Sequence, residues 1–207
     1  MDPNFLITAL VALLVVIDPI GLAPLFVALT AGMSPQRRRA IGIRACVVAF
    51  AILLVFSIFG EGILTFAGIS MDAFRIAGGI LLFLTALDML FERRQKRRED
   101  RADEDEGHDD DPSVFPLAIP LIAGPGSIAT IILLVGQTEG TAGYFAVMGV
   151  LLAVFVLVFV LFLGATAIER LLGKTGITVI TRLLGMLLAA LSVQFVLDGL
   201  SSFGLGS

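Results

Sequence analysis

The chain has 207 residues, of which 57% are hydrophobic and 15% are charged, and its mean hydropathy is +1.01. No soluble domain of this length needs so much apolar surface, so the composition excludes a soluble globular protein and indicates a single integral membrane bundle. The formal net charge of −4 says little alone, because the charges are segregated along the chain. The single cysteine, Cys46, lies in an apolar run and is expected to be a small buried hydrophobe.

Six apolar runs are predicted to cross the membrane, because each has about 20 residues and a helix rises about 1.5 Å per residue across roughly 30 Å of hydrocarbon. The predicted spans are residues 5–30, 41–64, 73–91, 116–136, 144–168 and 179–200. Ser34 is expected to cap the second helix, with a proline at the first helical position, and Ser70 to cap the third. Turns are predicted from Gly60 to Asp72 and from Glu169 to Gly176.

The first span is interrupted in its middle by a carboxylate, two prolines and a glycine, which belong to the stretch Asp18, Pro19, Ile20, Gly21 and Pro24. Proline removes a backbone donor, and hydrocarbon offers no water to solvate a charge or the freed backbone groups. Such a break survives at membrane depth only where protein buries it or where it lines a wet cavity. Because the N-terminus lacks a basic region and a cleavage site, we read this run as a retained span.

The third span carries Gly78 and Gly79, which are small enough to let another helix approach closely. It also carries Asp88 near its predicted cytoplasmic end. We expect interfacial solvation of Asp88 or pairing with Arg93, and proton coupling is the alternative role.

Residues 92–115 form the hydrophilic segment of the chain, which is basic first and acidic afterwards. We predict a solvated cytoplasmic linker between a first half, residues 1–91, and a second half, residues 116–207. A metal site at His108 is the alternative, but a lone histidine lacks the ligand spacing that a preformed site needs. No metal or other cofactor is therefore predicted.

The fourth span contains a second interruption, Gly124, Pro125, Gly126 and Ser127, about half a chain after the first. Two interrupted segments in matching places of two halves are typical of transporters, whose broken helices hold the substrate. The alternative is a pair of proline-kinked helices that pack without further function.

Charge segregation predicts the orientation. With six spans, the loops on one side and their flanks carry every lysine and arginine except Arg75. The positive-inside rule therefore predicts that these loops are cytoplasmic and that both termini face out. Each half then has three spans and the second half enters inverted. The run from Arg75 to Leu82 resembles the run from Arg182 to Leu188, which supports two inverted repeats.

The whole chain resembles the MarC family, which includes small neutral amino acid transporters of the SnatA type. The resemblance is carried by Asp18-Pro19-Ile20-Gly21-x-x-Pro24 and by the longer stretch that begins at Pro116 and ends at Ile128. It implies an all-α membrane protein of six helices in two inverted three-helix repeats, with helices 1 and 4 broken. It also implies transport of glycine, alanine or similar amino acids, with coupling to protons as one option. Many relatives have Asn where this chain has Leu22, so the substrate preference is open.

In this interpretation the exposed amides at Gly124 to Ser127 suit a carboxylate, whereas Asp18 and carbonyls freed near Pro19 and Pro24 suit an ammonium group. Asp18 and Asp88 are the candidates for carrying a coupling proton, and the alternative for Asp18 is a helix cap. The expected location is a prokaryotic inner membrane.

The rival functions are an exporter of another small metabolite, a channel and a membrane subunit that binds a partner without transport. No phosphate-binding loop and no nucleophile–base or metal constellation is visible, so an enzyme is not expected. The expected partners are the lipid bilayer and a small-molecule substrate, without nucleic acid, and a homo-oligomer is compatible with the sequence.

Overall fold

A computed structural model describes residues 3–94, 96–97 and 111–203, and no strand occurs in these ranges. The α-helices are α1 (Pro3–Ile17), α2 (Pro19–Leu29), α3 (Pro35–Phe66), α4 (Met71–Leu90), α5 (Pro125–Gly136), α6 (Gly140–Leu163) and α7 (Ala165–Ser202). A π-helical segment, Ser113–Ile122, precedes α5. Most of the predicted linker, including the alternative metal site at His108, lies outside the described residues.

The described helices include five membrane-span candidates by length and composition, with α1 and α2 counted together as Pro3–Leu29. A sixth candidate arises if the π-helical segment and α5, which are bent by 56° relative to each other, form one span. The prediction of an all-helical protein with several membrane spans is therefore confirmed.

Both predicted serine caps are present. The Ser34 side chain accepts a hydrogen bond from the Arg37 amide at 3.3 Å, and Pro35 occupies the first helical position. The Ser70 side chain accepts from the Ala73 amide at 3.2 Å. Each hydroxyl satisfies an amide that has no acceptor within its own helix, which explains where α3 and α4 begin.

Two predicted turns were wrong in extent. The helix α3 continues through Gly60 to Phe66, because Gly60 serves helix packing: a Cβ atom there would lie 2.6 Å from Cγ1 of Ile132. The predicted turn after Glu169 is helical except at Gly173, whose φ of 60° and ψ of 177° break α7. Glycine adopts this conformation without the steric penalty of a side chain, so the change of direction needs one residue only.

The close approach predicted for Gly78 and Gly79 is confirmed. A Cβ atom on Gly79 would lie 2.8 Å from the carbonyl oxygen of Ser192 in α7. Gly199 lies against the start of α4, and Gly185 lies against its end at Met89 and Ala86, so α4 and α7 run antiparallel. Because glycines on both helices have no side chain, the two backbones can pack closely. Close packing matters here because lipid provides no hydrophobic driving force for helix association.

The core lies around α1 and α2, which the longer helices surround. Leu13, Ile17 and Leu22 are fully buried. The ring of Phe26 stacks on that of Phe162 in α6, with centroids 4.5 Å apart. The interrupted first span is therefore held inside protein over most of its length, as the cost of freed backbone groups in hydrocarbon requires.

Candidate functional site

The first interruption is confined to one residue. Asp18 has φ 55° and ψ 63°, the left-handed conformation that aspartate tolerates better than most side chains. Helical bonds continue across it, because the Asp18 amide donates to the Leu14 carbonyl at 2.9 Å and the Leu22 amide donates to the Asp18 carbonyl at 3.0 Å. Pro24 lies inside α2, so the interruption is shorter than the stretch from Asp18 to Pro24 that the sequence indicated.

Asp18 is fully buried, and its Oδ1 accepts a hydrogen bond from the Gly21 amide at 3.1 Å. The carboxylate therefore caps α2, which is the alternative role that we considered for it. Gly21 makes this possible: a Cβ atom there would lie 2.2 Å from Oδ2 of Asp18. The space left by this glycine is occupied by the Asp18 carboxylate.

The second interruption is longer and less regular. Phe115 and Ile119 have extended backbone angles within the π-helical segment, and the peptide bonds that follow them, to Pro116 and Pro120, are cis. The helix α5 begins at Pro125 with Gly124 at the cap position, without a capping side chain. The amides of Gly126 and Ser127 in the first turn therefore have no acceptor within the helix.

The Ser127 side chain has a local structural task. Its hydroxyl lies 2.7 Å from the Ile122 carbonyl oxygen and 3.0 Å from that of Gly124, and it donates to both. These contacts tie the end of the π-helical segment to the start of α5. The hydroxyl is therefore engaged with backbone carbonyl groups.

Two cavities adjoin the interruptions. The first has a volume of about 450 Å³ and is lined by the start of α5 from Gly124 to Ser127, by Thr85 and Asp88 of α4, and by three arginines. The second has a volume of about 580 Å³ and is lined by Asp18 and Pro24, by charged residues after α4 and by Thr178 and Thr181 of α7. Both volumes fall within the range of small-molecule sites.

The predicted site residues divide between these neighbouring cavities. Gly124, Pro125, Gly126 and Ser127 line the first, and Asp18 and Pro24 line the second. Neither cavity is lined by Pro19, Ile20 or Gly21. The cavities share Asp88, Arg93 and Arg94, so the two interrupted stretches are brought near each other without lining one common space.

Val16 connects the two interruptions directly. It lies two residues before Asp18, and a Cβ atom on Gly126 would lie 3.0 Å from its Cγ2 atom. The last turn of α1 therefore packs on the first turn of α5, and the absent side chain at Gly126 permits this contact.

Asp88 was expected to be solvated at the interface or to pair with Arg93, and the pairing with Arg93 was wrong. Asp88 pairs with Arg97, with Nη2 and Oδ1 2.7 Å apart, whereas the guanidinium of Arg93 lies 5.9 Å from the ring centre of Phe91. The chain turns at Phe91 and Glu92, where Glu92 has a positive φ of 59°, and Arg97 lies beyond this turn. A positive φ is uncommon for glutamate, so the sequence does not signal this turn.

Two further arginines, Arg75 and Arg182, form ion pairs. Arg75 lies 3.3 Å from Asp72 in the same helix, and Arg182 pairs with Glu92. The second pair links α7 to the segment after α4. Of the two partners, Glu92 lines the second cavity.

Arg94 and Thr181 are cavity residues that the sequence analysis did not single out. Arg94 is half-buried, and its guanidinium donates to the Val16 carbonyl and lies 3.1 Å from Sδ of Met89. The basic run that contains Arg94 was predicted as linker, and composition alone cannot tell which arginine of such a run turns inward. Thr181 lies within a predicted membrane span, and no neighbouring motif indicates that it lines a cavity.

The fold and these cavities define a multi-pass membrane protein with a polar interior region beside two helix interruptions. The sequence matches the MarC family of integral membrane proteins over residues 3–203, and the chain belongs to this family. No solved structure matches the chain.

The curated relatives cover nearly the whole chain. It is 34% identical to a UPF0056 membrane protein of Methanocaldococcus jannaschii, over 97% of this chain and 98% of that protein. It is 38% identical to a UPF0056 membrane protein of Aquifex aeolicus, over 95% and 92% of the two chains. It is 36% identical to the UPF0056 inner membrane protein YhgN of Escherichia coli, over 95% and 96%.

Proposed function

We propose that the protein is a secondary transporter of small neutral amino acids such as glycine and alanine. The observation that carries this proposal is the first cavity, of about 450 Å³, where the start of α5 meets Asp88 and arginine side chains beside the interrupted first span. Broken helices with polar groups at their ends are typical of the places where transporters hold a solute.

The geometry suits a zwitterion. The amides of Gly126 and Ser127 and the positive end of the α5 dipole favour a carboxylate. Asp88 at the first cavity and Asp18 at the second are the acceptors for an ammonium group. The first cavity, of about 450 Å³, has a volume that suits a small substrate.

The inverted-repeat architecture is part of the proposal. The helices α4 and α7 carry the matching sequence runs at Arg75 and Arg182, and they pack antiparallel through glycines on both partners. This arrangement is the one expected of two elements related by a two-fold axis in the membrane plane. In this proposal the interruptions at Asp18 and Gly124 belong to the two broken helices.

We further propose that the protein resides in a prokaryotic inner membrane with both termini outside. The relative YhgN of Escherichia coli is described as an inner membrane protein. The lysines and arginines that follow α4 and precede the break in α7 would then face the cytoplasm, as the positive-inside rule requires. Protons are the proposed coupling ion, with Asp18 and Asp88 as the carriers.

The test is uptake of labelled glycine and alanine by proteoliposomes, with and without a pH gradient. We expect saturable uptake that the gradient enhances and that other small neutral amino acids inhibit. Flux without saturation or counterflow would favour a channel. No flux by folded protein in either direction would favour another metabolite or a partner-binding subunit.

Asp18→Asn provides the residue-level test, because it removes the charge and keeps the shape of the cap. We expect a lower uptake rate or a weaker dependence on the pH gradient. Asp198→Asn is the matched control, since Asp198 bonds to Gln194 at 2.6 Å and lines neither of the two cavities. An unchanged uptake rate at every gradient would remove Asp18 from substrate binding and from coupling.

A further inference from the structure

We propose that Thr181 of α7 binds the ammonium group of the transported amino acid in the second cavity, with its Oγ1 atom accepting a hydrogen bond from that group. This inference rests on the proposed transport function and adds a substrate-binding side chain to the same site. The acceptors proposed above, Asp18 and Asp88, both belong to the first half of the chain. Thr181 therefore makes substrate binding depend on the second half as well.

The Thr181 hydroxyl is buried and lacks a partner in the described part of the chain. The residue is 7% exposed, and no hydrogen bond to its Oγ1 atom is formed by any described residue. Buried hydroxyls are almost always hydrogen-bonded, because a buried polar atom without a partner costs its full desolvation energy. Thr181 also lines the second cavity, so an occupant of that cavity is the group that can complete its hydrogen bonding.

The orientation of this hydroxyl differs from that of other threonines in the bundle. A helical threonine has an acceptor within its own helix, since its Oγ1 can donate to the carbonyl four residues earlier. Thr181 makes no such bond to the Ile177 carbonyl. Its hydroxyl is therefore not engaged by its own helix. Five threonines in or at the end of α1 to α5 do make this bond, at 2.6–3.0 Å: Thr8, Thr30, Thr65, Thr85 and Thr130.

The packing of α7 on α4 explains why space remains beside Thr181. A Cβ atom on Gly185 would lie 2.9 Å from Cβ of Met89, next to the end of α4 at Leu90. Thr181 lies one helical turn before Gly185 and on the same face of α7. Because the two helices run antiparallel, this turn of α7 extends past the end of α4. The second cavity lies here, and Met89 and Thr181 both line it.

The buried part of this lining offers hydrogen-bond acceptors. Four of the lining residues are buried, and the polar side chains among them are a carboxyl and a hydroxyl: Asp18, Met89, Ile177 and Thr181. The basic lining residues are exposed or half-buried: Arg93, Arg94, Lys96 and Lys174. An ammonium group has three N–H donors and no acceptor. It is therefore the part of a zwitterion that these buried oxygen atoms suit.

The missing partner also predicts how a variant behaves without ligand. Thr181→Val keeps the branched shape of the side chain and removes the hydroxyl. Because the hydroxyl has no protein partner among the described residues, its removal breaks no hydrogen bond there and relieves the desolvation of a buried polar atom. The ligand-free variant should therefore melt at or above the wild-type midpoint while binding amino acid more weakly. A hydroxyl with a structural role would lower the midpoint and leave binding unchanged.

The experiment compares wild type, Thr181→Val, Thr181→Ser and the control Thr30→Val. Thr30 is 1% exposed, its hydroxyl donates to the Phe26 carbonyl at 2.6 Å, and it lines neither of the two cavities. Alanine uptake is measured in proteoliposomes, and alanine binding is measured by calorimetry on purified, monodisperse protein. Melting of the ligand-free proteins is followed by circular dichroism. Propionate, which has the carboxylate of alanine without the ammonium group, is the second ligand.

We expect Thr181→Val to raise KM and Kd for alanine by roughly 10- to 100-fold, the loss typical of a hydrogen bond to a charged group. Its Kd for propionate should not change, so the preference for alanine over propionate should fall by the same factor. Thr181→Ser keeps the hydroxyl and should retain most of the affinity. Thr30→Val should lower the melting midpoint and leave both Kd values at those of wild type.

Three results with Thr181→Val would overturn the inference while leaving transport intact. The first is unchanged affinity and selectivity for alanine. The second is an equal loss of affinity for alanine and propionate, since the hydroxyl would then serve the carboxylate or the shape of the cavity. The third is failure of the variant to fold, because the hydroxyl would then stabilise the protein itself.

The behaviour of wild type separates the two proposals. If wild type binds alanine without transporting it, the transport function is wrong, and the Kd values of Thr181→Val still decide the role of Thr181. If folded wild type does not bind alanine, both proposals fail.

Discussion

The contact between α4 and α7 at Gly79 gives the sharpest stability prediction. In Gly79→Ala the new methyl group would lie 2.8 Å from the Ser192 carbonyl oxygen, 2.8 Å from Cγ2 of Val196 and 3.1 Å from the Val196 amide nitrogen. Two of these three atoms belong to the backbone, so they cannot turn away as a side chain could. The two helices must separate, and the whole packed face between them is affected.

The magnitude follows from two opposing effects. Overpacking a well-filled helix contact costs about 1–3 kcal/mol. Replacing glycine by alanine inside a helix stabilises the folded protein by about 1 kcal/mol, because the unfolded chain has less backbone entropy to lose. A matched variant cancels the second effect: Gly149 lies in α6, and a Cβ atom there meets nothing within 4 Å. The difference in melting midpoint between Gly79→Ala and Gly149→Ala therefore measures the effect of overpacking at the Gly79 contact alone.

The assay uses the chain's own reporter. Cys46 is the single cysteine and is 8% exposed, so it should react with a maleimide fluorophore only after unfolding. We expect Gly79→Ala to melt roughly 2–12 °C below Gly149→Ala, at about 2–4 °C per kcal/mol for a chain of this size. Coincident melting curves would refute the close packing of α4 on α7.

Three other predictions concern the helix starts and the two interruptions. Gly21→Ala should cost about 0.5–2 kcal/mol of stability through loss of the Asp18 cap, because its methyl group would overlap the Asp18 carboxylate at 2.2 Å. In the same thiol assay the melting midpoint should therefore fall by roughly 1–8 °C. Gly62→Ala, where a Cβ atom meets nothing within 4 Å, should leave the midpoint unlowered. Ser34→Ala should cost about 0.5–2 kcal/mol and Ser34→Asp should retain most of the stability, and equal stability of all three proteins would contradict the observed cap. Gly126→Ala should reduce uptake of alanine more than uptake of glycine. Its new methyl group would lie 3.0 Å from Cγ2 of Val16, and both residues line the first cavity. An alanine-to-glycine uptake ratio equal to that of wild type would place the substrate elsewhere.

Local and periodic features of this fold were predictable from the sequence. Apolar run length predicted the spans, and Ser34 and Ser70 marked helix starts because capping depends on neighbouring residues only. The close packing at Gly79 was predictable as well, since small residues are the means by which membrane helices approach each other. The left-handed residue at Asp18 lies where the sequence placed an interruption.

The failures share a cause in tertiary structure. Gly60 looks like a turn residue, and only the presence of Ile132 from α5 explains a glycine inside a continuous helix. Asp88 pairs with Arg97 beyond the turn at Glu92, and a short-range pattern does not encode this partner. Arg94 lines both cavities, although its basic run resembles a linker. The assignment of these side chains requires knowing which distant elements meet.

The local character of the Asp18 cap has a consequence for biogenesis. The Asp18 carboxylate accepts a hydrogen bond from the Gly21 amide, three residues away. Backbone helical hydrogen bonds continue on both sides of Asp18. In a nascent first span, the Gly21 amide can therefore partly compensate the loss of water around the Asp18 carboxylate before any other helix has been synthesised. The segment Pro3–Leu29 has a mean hydropathy of 2.5 over its most apolar 18 residues, so it can enter the lipid phase as one unit. Helices that are inserted later then complete the burial of Asp18.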